Sequence, residues 1–257
     1  NIYSALTNAA QPTGALVTVG GLLAVTNGSA VYPYSHATNG GSPIIFAATI
    51  LVDSNSSINA DYTGCGSYKM TIGSSQRGWG WGGGLARQGN VTYGASHGGT
   101  AAANSLAVYG SSNAPINPGS GGGANSSTVS GFGGGVINLQ AESGSVTING
   151  TLSARGRGYP SGQCLSGGSG GSIYIRCRSF SGSGTLRADG GSGGGDGTYN
   201  GYGSAGGRIA VWRMYHSFVG SATATGGAYN TSSAPYAGNG TIVWGQIPVP
   251  GTTVRMW

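Results

Sequence analysis

Three segments of this chain copy one another at a fixed step, and that repeat constrains the fold more than any other feature. The first opens Gly134-Gly135-Val-Ile137-Asn-Leu139 and closes Gly150-Thr-Leu152-Ser-Ala154-Arg-Gly156. The second opens Gly170-Gly171-Ser-Ile173-Tyr-Ile175 and closes Gly184-Thr-Leu186-Arg-Ala188-Asp-Gly190. The third opens Gly206-Gly207-Arg-Ile209-Ala-Val211 and closes Gly220-Ser-Ala222-Thr-Ala224-Thr-Gly226. The lead isoleucines, Ile137, Ile173 and Ile209, stand 36 residues apart both times. Each unit holds two short alternating strands and then a Gly/Ser-rich stretch. Weaker copies are read at Gly98-Gly99-Thr-Ala101, and from Gly40-Gly41 through Ile44 and Phe46 to Ile58-Asn-Ala60. The first third, with Leu16 to Val19 and Leu22 to Val25, is strand-like but out of step.

A short strand with one apolar face does not hold together alone. Copies laid on one another bury a continuous column of Ile, Leu, Val and Ala. The repeat therefore predicts an all-β chain: a parallel β-helix (β-solenoid) with Gly-rich loops and two coils per repeat of roughly 36 residues. The expected organisation is one domain over 1–257, with clear repeats over 134–227. Terminal segments 1–39 and 228–257 are candidates for exchange with neighbouring subunits. Small Ala and Gly positions near the corners are expected to let neighbouring backbones approach, and Gly to supply positive φ where coils turn. Two rival arrangements are a β-sandwich with long loops and a packing of the glycine stretches among themselves in the manner of polyglycine II.

Composition supports strand over helix. The chain has 55 Gly, and each in a helix interior costs about 1 kcal/mol relative to Ala. No strict three-residue glycine period is present, which excludes collagen. The nearest helical candidate, Ile209 to Val219, alternates as a strand does. Only 6% of residues are charged, yet the 14 Tyr, five Trp and recurrent apolar runs argue against disorder.

The signature GG-x-I-x-I…G-x-L-x-A-x-GG, as in Gly170 to Gly191, resembles the glycine-rich repeats of secreted and cell-surface right-handed parallel β-helix proteins, among them bacterial adhesins and surface-filament proteins. The resemblance covers 134–227 clearly and implies architecture rather than activity. Pectate-lyase-like enzymes share that fold, but their clustered acids and paired basic residues have no counterpart in this sequence.

The charge of +6 comes from Lys69 and ten Arg against Asp53, Asp61, Glu142, Asp189 and Asp196. These basic residues are dispersed, unlike the dense patches of nucleic-acid binders, so no nucleic-acid partner is expected. They are read as outward solubilising residues, with weak attraction to acidic polysaccharide as the alternative. The longest apolar run, Ile44 to Val52, is too short for a membrane helix. Scarce Lys and Glu, with abundant Ser, Thr, Asn and Tyr, suit the cell exterior. Seven Asn-x-Ser/Thr sequons occur, at Asn27, Asn55, Asn90, Asn125, Asn149, Asn230 and Asn239, and would carry glycan in a eukaryotic secreted protein. Cys65, Cys164 and Cys177 allow at most one internal disulfide. Alternation puts Cys177 on the apolar face with Ile173 and Ile175, either as a buried thiol or bridged to Cys164.

No catalytic centre, metal site or cofactor is expected. Glycoside hydrolysis needs two carboxylates across a cleft, and the pairs Asp189/Asp196 and Asp53/Asp61 read better as turn caps beside Gly and Ser. His36, His97 and His216 are isolated. Gly131-Phe132-Gly133 lacks the strand and helix that a dinucleotide fingerprint requires. More informative are the aromatic residues. Trp79 and Trp81, in Arg77-Gly-Trp-Gly-Trp-Gly, alternate so that both rings face one way, either toward a glycan or partner or capping the core. Tyr174, Arg176 and Arg178 should point outward together.

The leading functional expectation is a structural subunit of an extracellular filament, sheath or surface layer. It would self-assemble head to tail through β-prone ends such as Asn1 to Leu6 and Thr252 to Trp257. A cell-surface adhesin or carbohydrate-binding module is the second reading, and a β-helix polysaccharide lyase or hydrolase the third.

Overall fold

Alternation of apolar and polar residues becomes strand in the repeats, and helix occurs nowhere among the described residues. The computed structural model describes every residue except 7–12, 39, 68–75, 103–106, 125–128, 160–164, 196–197, 230–236, 250 and 252–257. Strands are numbered in chain order. One sheet contains β2 (Ala15–Val25), β5 (Pro43–Val52), β8 (Val136–Ile148), β10 (Ser172–Gly182), β13 (Arg208–Phe218) and β15 (Thr241–Gln246). Its order is β15-β13-β10-β8-β5-β2, with every neighbouring pair parallel. A second parallel sheet, in the order β14-β11-β9-β6-β3, contains β3 (Ala30–Val31), β6 (Ser57–Asn59), β9 (Thr151–Ser153), β11 (Thr185–Arg187) and β14 (Ser221–Thr223). Two small parallel pairs complete the set: β1 (Ile2–Tyr3) with β4 (Pro33–Tyr34), and β7 (Val91–Thr92) with β12 (Asn200–Gly201).

The repeat sets the register. Ile137, Ile173 and Ile209 lie directly side by side, as do Leu139, Ile175 and Val211 in the same sheet, and Leu152, Leu186 and Ala222 in the other. The inward faces of both sheets meet in one core that includes Ile50, Ile58, Leu139, Ile148, Leu152, Ile175, Phe180 and Leu186, all fully buried. Burying a side chain of this size stabilises by about 1.5–3 kcal/mol, which the isolated strands could not supply.

The expectation of a single parallel β-helix is corrected here. The strands form separate parallel sheets of six, five, two and two members, not one continuous solenoid. The physical reason lies in the chain between the strands. The glycine-rich stretches are not loops projecting from coils; they bond to one another. Gly131 and Gly134 donate to Ser166 O and Ser169 O, Gly167 and Gly170 to Tyr202 O and Ala205 O, and Tyr202 and Ala205 to Thr92 O and Ala95 O. Every third amide thus reaches the same neighbour. The amides between them turn to other segments, as Gly133 does to Cys65 O and Ser204 to Gly191 O. A three-residue period with no bonds inside a segment is the habit of polyproline II geometry.

Of the two roles expected of glycine, close backbone approach is the commoner. Positive φ is confined to Gly28, Gly40, Gly80, Gly89, Gly110, Gly182 and Gly251 among the described glycines. Most others are glycine because a Cβ would fall on a neighbouring backbone. At Gly121, Gly133, Gly167 and Gly170 it would come well under 3.0 Å from a carbonyl oxygen. Serine enters where one side chain fits and can bridge. Ser120, Ser130, Ser166, Ser169 and Ser204 are fully buried, and Ser204 Oγ accepts from Ala95 N–H while donating to Gly167 O.

The two ends of the motif meet in this layer. Gly135, Gly171, Gly207 and Gly240 donate to Ala60 O, Ala154 O, Ala188 O and Ala224 O, each at 2.7 Å. The weaker copies fare differently. Gly98 and Gly99 both donate to Gly206 O inside the glycine layer and start no strand. In β5 the inward residues are Ile45 and Ala47, while Ile44 and Phe46 face out, an offset of one position that exchanges faces.

Candidate functional site

The face of the six-stranded sheet that points away from the core carries a cluster of aromatic and polar side chains. Alternation in β10 buries Ile173, Ile175 and Cys177 and turns Tyr174, Arg176 and Arg178 outward, with Arg176 and Arg178 exposed and Tyr174 half-buried. Arg176 Nε lies 3.2 Å from Glu142 Oε1, and the Arg178 guanidinium sits 5.8 Å from the Tyr215 ring centroid. Beside Arg176 in the ladder stands Trp212 of β13. Its indole lies flat over Gly245 of β15, where a Cβ would strike the ring. Trp212 Nε1 donates to Asn113 O at 2.7 Å, fixing the plane. Tyr174, Arg176, Trp212, Asn113, Gln246 and Pro248 line an open groove of about 330 Å³. Sequence reasoning missed Trp212, although it stands one 36-residue step beyond Arg176.

Trp79 and Trp81 line an open hollow of about 310 Å³, shared with Thr38 and Gly80. Gly80 has φ of +97°, and the two rings are 42% and 59% exposed. Trp81 rests against Tyr109 with ring centroids 5.6 Å apart.

The acids serve as structural ties. Asp61 accepts from Arg155 Nε and NH2 at 2.9 and 2.7 Å, from Arg155 N–H, and from Ser153 Oγ. That pairing holds the Arg155 guanidinium above its ordinary range. Burial alone would raise Asp189, but donors from Thr225, Thr223 and Arg187 outweigh it and hold the carboxyl below the usual range. Asp53 caps its own turn through Ser54 N–H at 2.6 Å. Asp61 therefore sits in an ion pair rather than across a cleft from Asp53. Asp196 and Lys69 lie outside the described residues.

His97, read as isolated in the sequence, is fully buried in the glycine layer. Its ring stacks on Tyr109 at 4.5 Å, and Nδ1 must carry the proton, since its partner at 2.7 Å is Gly170 O. Nε2 is buried with no hydrogen-bond partner. Burial pushes the imidazole down to about 4, the Gly170 bond opposing and nearby Arg208 assisting. Tyr109 OH donates to Pro118 O and accepts from Ser120 Oγ, and burial raises its pKa.

Cys65 and Cys177 are buried free thiols, each pushed up to about 12 by burial. Cys164 lies outside the described residues. Asn27, Asn55, Asn90, Asn149 and Asn239 are all exposed, while Asn125 and Asn230 lie outside the described residues. Asn27 and Gly28, both at positive φ, form the tight turn between β2 and β3 closed by Ser29 N–H to Thr26 O. Among the described residues no group of three or more His, Cys, Asp or Glu could hold a metal ion, and no helix is long and apolar enough to cross a membrane.

The sheet ends form the remaining surface. No described strand pairs with the outer side of β2 or of β15. The sequences of these edges, ALVTVGGLLAV and TIVWGQ, contain no charged residue. Ile242 and Trp244 of β15 are 39% and 40% exposed, although their neighbours Ile209 and Val211 are fully buried. At the other end Ile2 and Tyr3 pair within their own chain, with Pro33 and Tyr34, and Thr252 to Trp257 lie outside the described residues.

No protein-family model, no curated protein and no solved structure matches this chain, so the likeness to glycine-rich surface proteins stands on the repeat motif alone.

Proposed function

We propose that this chain is a structural subunit of an extracellular filament, sheath or surface layer, built by association of sheet edges. The observation that carries the reading is the pair of uncharged open edges, β2 and β15, that terminate the six-stranded parallel sheet. Proteins that remain monomeric guard such edges with charge, proline or a covering element, because unpaired backbone groups recruit further strands. The five exposed sequon asparagines would let glycan coat the sides of an assembly. Pelleting by ultracentrifugation over a concentration series tests the reading. Material above a critical concentration should sediment as polymer. A chain that stays in the supernatant as monomer at every concentration refutes it.

The groove on the outer sheet face supports a second reading, recognition of a saccharide. A flat, fixed indole beside Arg176, Gln246 and Tyr174 offers one apolar platform with polar groups at its rim. Titration with uronic-acid oligosaccharides should then change tryptophan fluorescence in the parent and not in Trp212→Ala. An unchanged signal in the parent removes this reading.

A further inference from the structure

Two glycines have no explanation among the described residues of a single copy. Gly20 and Gly21 lie in the middle of β2, where glycine weakens a strand through lost entropy and absent packing. Neither has positive φ. A Cβ added at either would meet nothing within 4 Å. Gly41, Gly194 and Gly195 aside, every other described glycine has at least one of the two reasons, a positive φ or a neighbour inside that distance.

The bulge at this bend does not demand them. The register with β5 shifts between Val19 and Leu22, yet β5 carries Ala48 at its own bend and β10 carries Arg178. In β8 the bend does contain a glycine, Gly144, and there a Cβ would collide with Ala48 O of the adjacent strand. Glycine at this bend thus accompanies close approach of another backbone. Beyond β2 that backbone has to come from outside the described chain.

We propose that the outer edge of β2 packs against the outer edge of β15 of a second copy, with the Gly20–Gly21 bend receiving the backbone that follows β15. This rests on the filament reading and specifies its contact. Both edges run parallel to their own neighbours, so a copy moved along the stacking direction presents β2 to β15 with matching polarity. The contact is heterologous and propagates without closing. The register is already written in one copy. Val17, Ile45, Leu139, Ile175, Val211 and Trp244 form one inward row across the sheet. Continuing it places Val17 of one copy beside Trp244 of the next. Val19 then falls beside Gln246, and Gly20–Gly21 beside Ile247 and Pro248. The half-buried Val17, Val19 and Leu23 and the exposed Ile242 and Trp244 are the side chains such a joint would cover.

The test is the double variant Gly20→Ala/Gly21→Ala, beside the parent, in the pelleting assay and in thermal denaturation below the critical concentration. The added methyl groups meet nothing among the described residues of one copy, so the monomer should melt at or above the parent temperature. Its critical concentration for polymer should rise by at least about tenfold. A second variant, Leu16→Cys/Val243→Cys, joins positions one residue earlier in the same register. On oxidation it should give a ladder of disulfide-linked multimers, because neighbouring strands hold Cα atoms at bridging distance. A parent that polymerises, with a double glycine variant that polymerises equally and a cysteine variant that yields no ladder, overturns this contact while leaving the filament reading intact. A parent that never polymerises overturns both.

Discussion

Replacing Gly170 by Ala probes the glycine layer most sharply, because its backbone has no positive φ and the effect must come from contact. The new Cβ would point at Ala188 O and lie 2.5 Å from Gly207 N. Restoring ordinary contact needs the two backbones to part by about 1.5 Å, which carries hydrogen bonds of 2.7 and 2.9 Å out of range. The bonds affected are Gly207 N–H to Ala188 O and Gly170 N–H to Ala205 O. Each buried group left unpaired costs about 1–3 kcal/mol, so the variant should lose roughly 3–5 kcal/mol. For a chain of this length that lowers the melting temperature by about 10 °C. The matched control is Gly28→Ala, which has φ of +74° and empty space around it, and which should lose only about 1 kcal/mol through backbone strain. Calorimetry or denaturant unfolding measures both. A Gly170→Ala variant within about 0.5 kcal/mol of the parent would refute the steric explanation of the glycines.

Other variants separate the core from its surroundings. Ile175→Ala should destabilise by about 2–5 kcal/mol in denaturant unfolding, whereas Arg178→Ala, on the exposed face, should stay within about 0.5 kcal/mol. His97 is neutral in the folded chain and titrates there near 4 rather than 6.5. Its contribution is fully present above pH 6.5 and is lost as pH falls towards 4, by about 3 kcal/mol, because the unfolded chain takes up the proton first. Unfolding followed from pH 7 to 4 should show that loss in the parent and a flatter profile in His97→Asn. Cys65 and Cys177 should resist iodoacetamide at pH 8 in the native protein and react once it is unfolded, as mass spectrometry of labelled peptides can establish.

Much of the sheet could be read from the sequence because side chains report it. The 36-residue step of Ile137, Ile173 and Ile209 became their lateral alignment, and the alternation in β10 sorted Cys177 from Arg176 and Arg178. The glycine layer could be named only as a rival arrangement, for the converse reason. Its three-residue period lies in backbone amides such as those of Gly131 and Gly134, and glycine has no side chain through which that period can show in composition. A single solenoid was the natural reading of strands joined by apparent loops, and it failed because those loops pair with one another. The one-position offset at Ile44 and Ile45 escaped detection because β5 reads Pro-Ile-Ile-Phe-Ala, apolar at successive positions, so alternation could not choose a face. Trp212 was legible through the repeat. His97 on Tyr109 was not, since the glycine segments bring distant positions together without a motif.

The most direct measurement is electron microscopy of the purified chain at neutral pH, with image processing for any regular repeat. Six parallel strands stacked at about 4.8 Å give about 29 Å per subunit. Filaments with that axial rise, and a 4.8 Å layer line from strands crossing the axis, are the expected result. Discrete particles of monomer size, at every concentration that electron microscopy can sample, would contradict it.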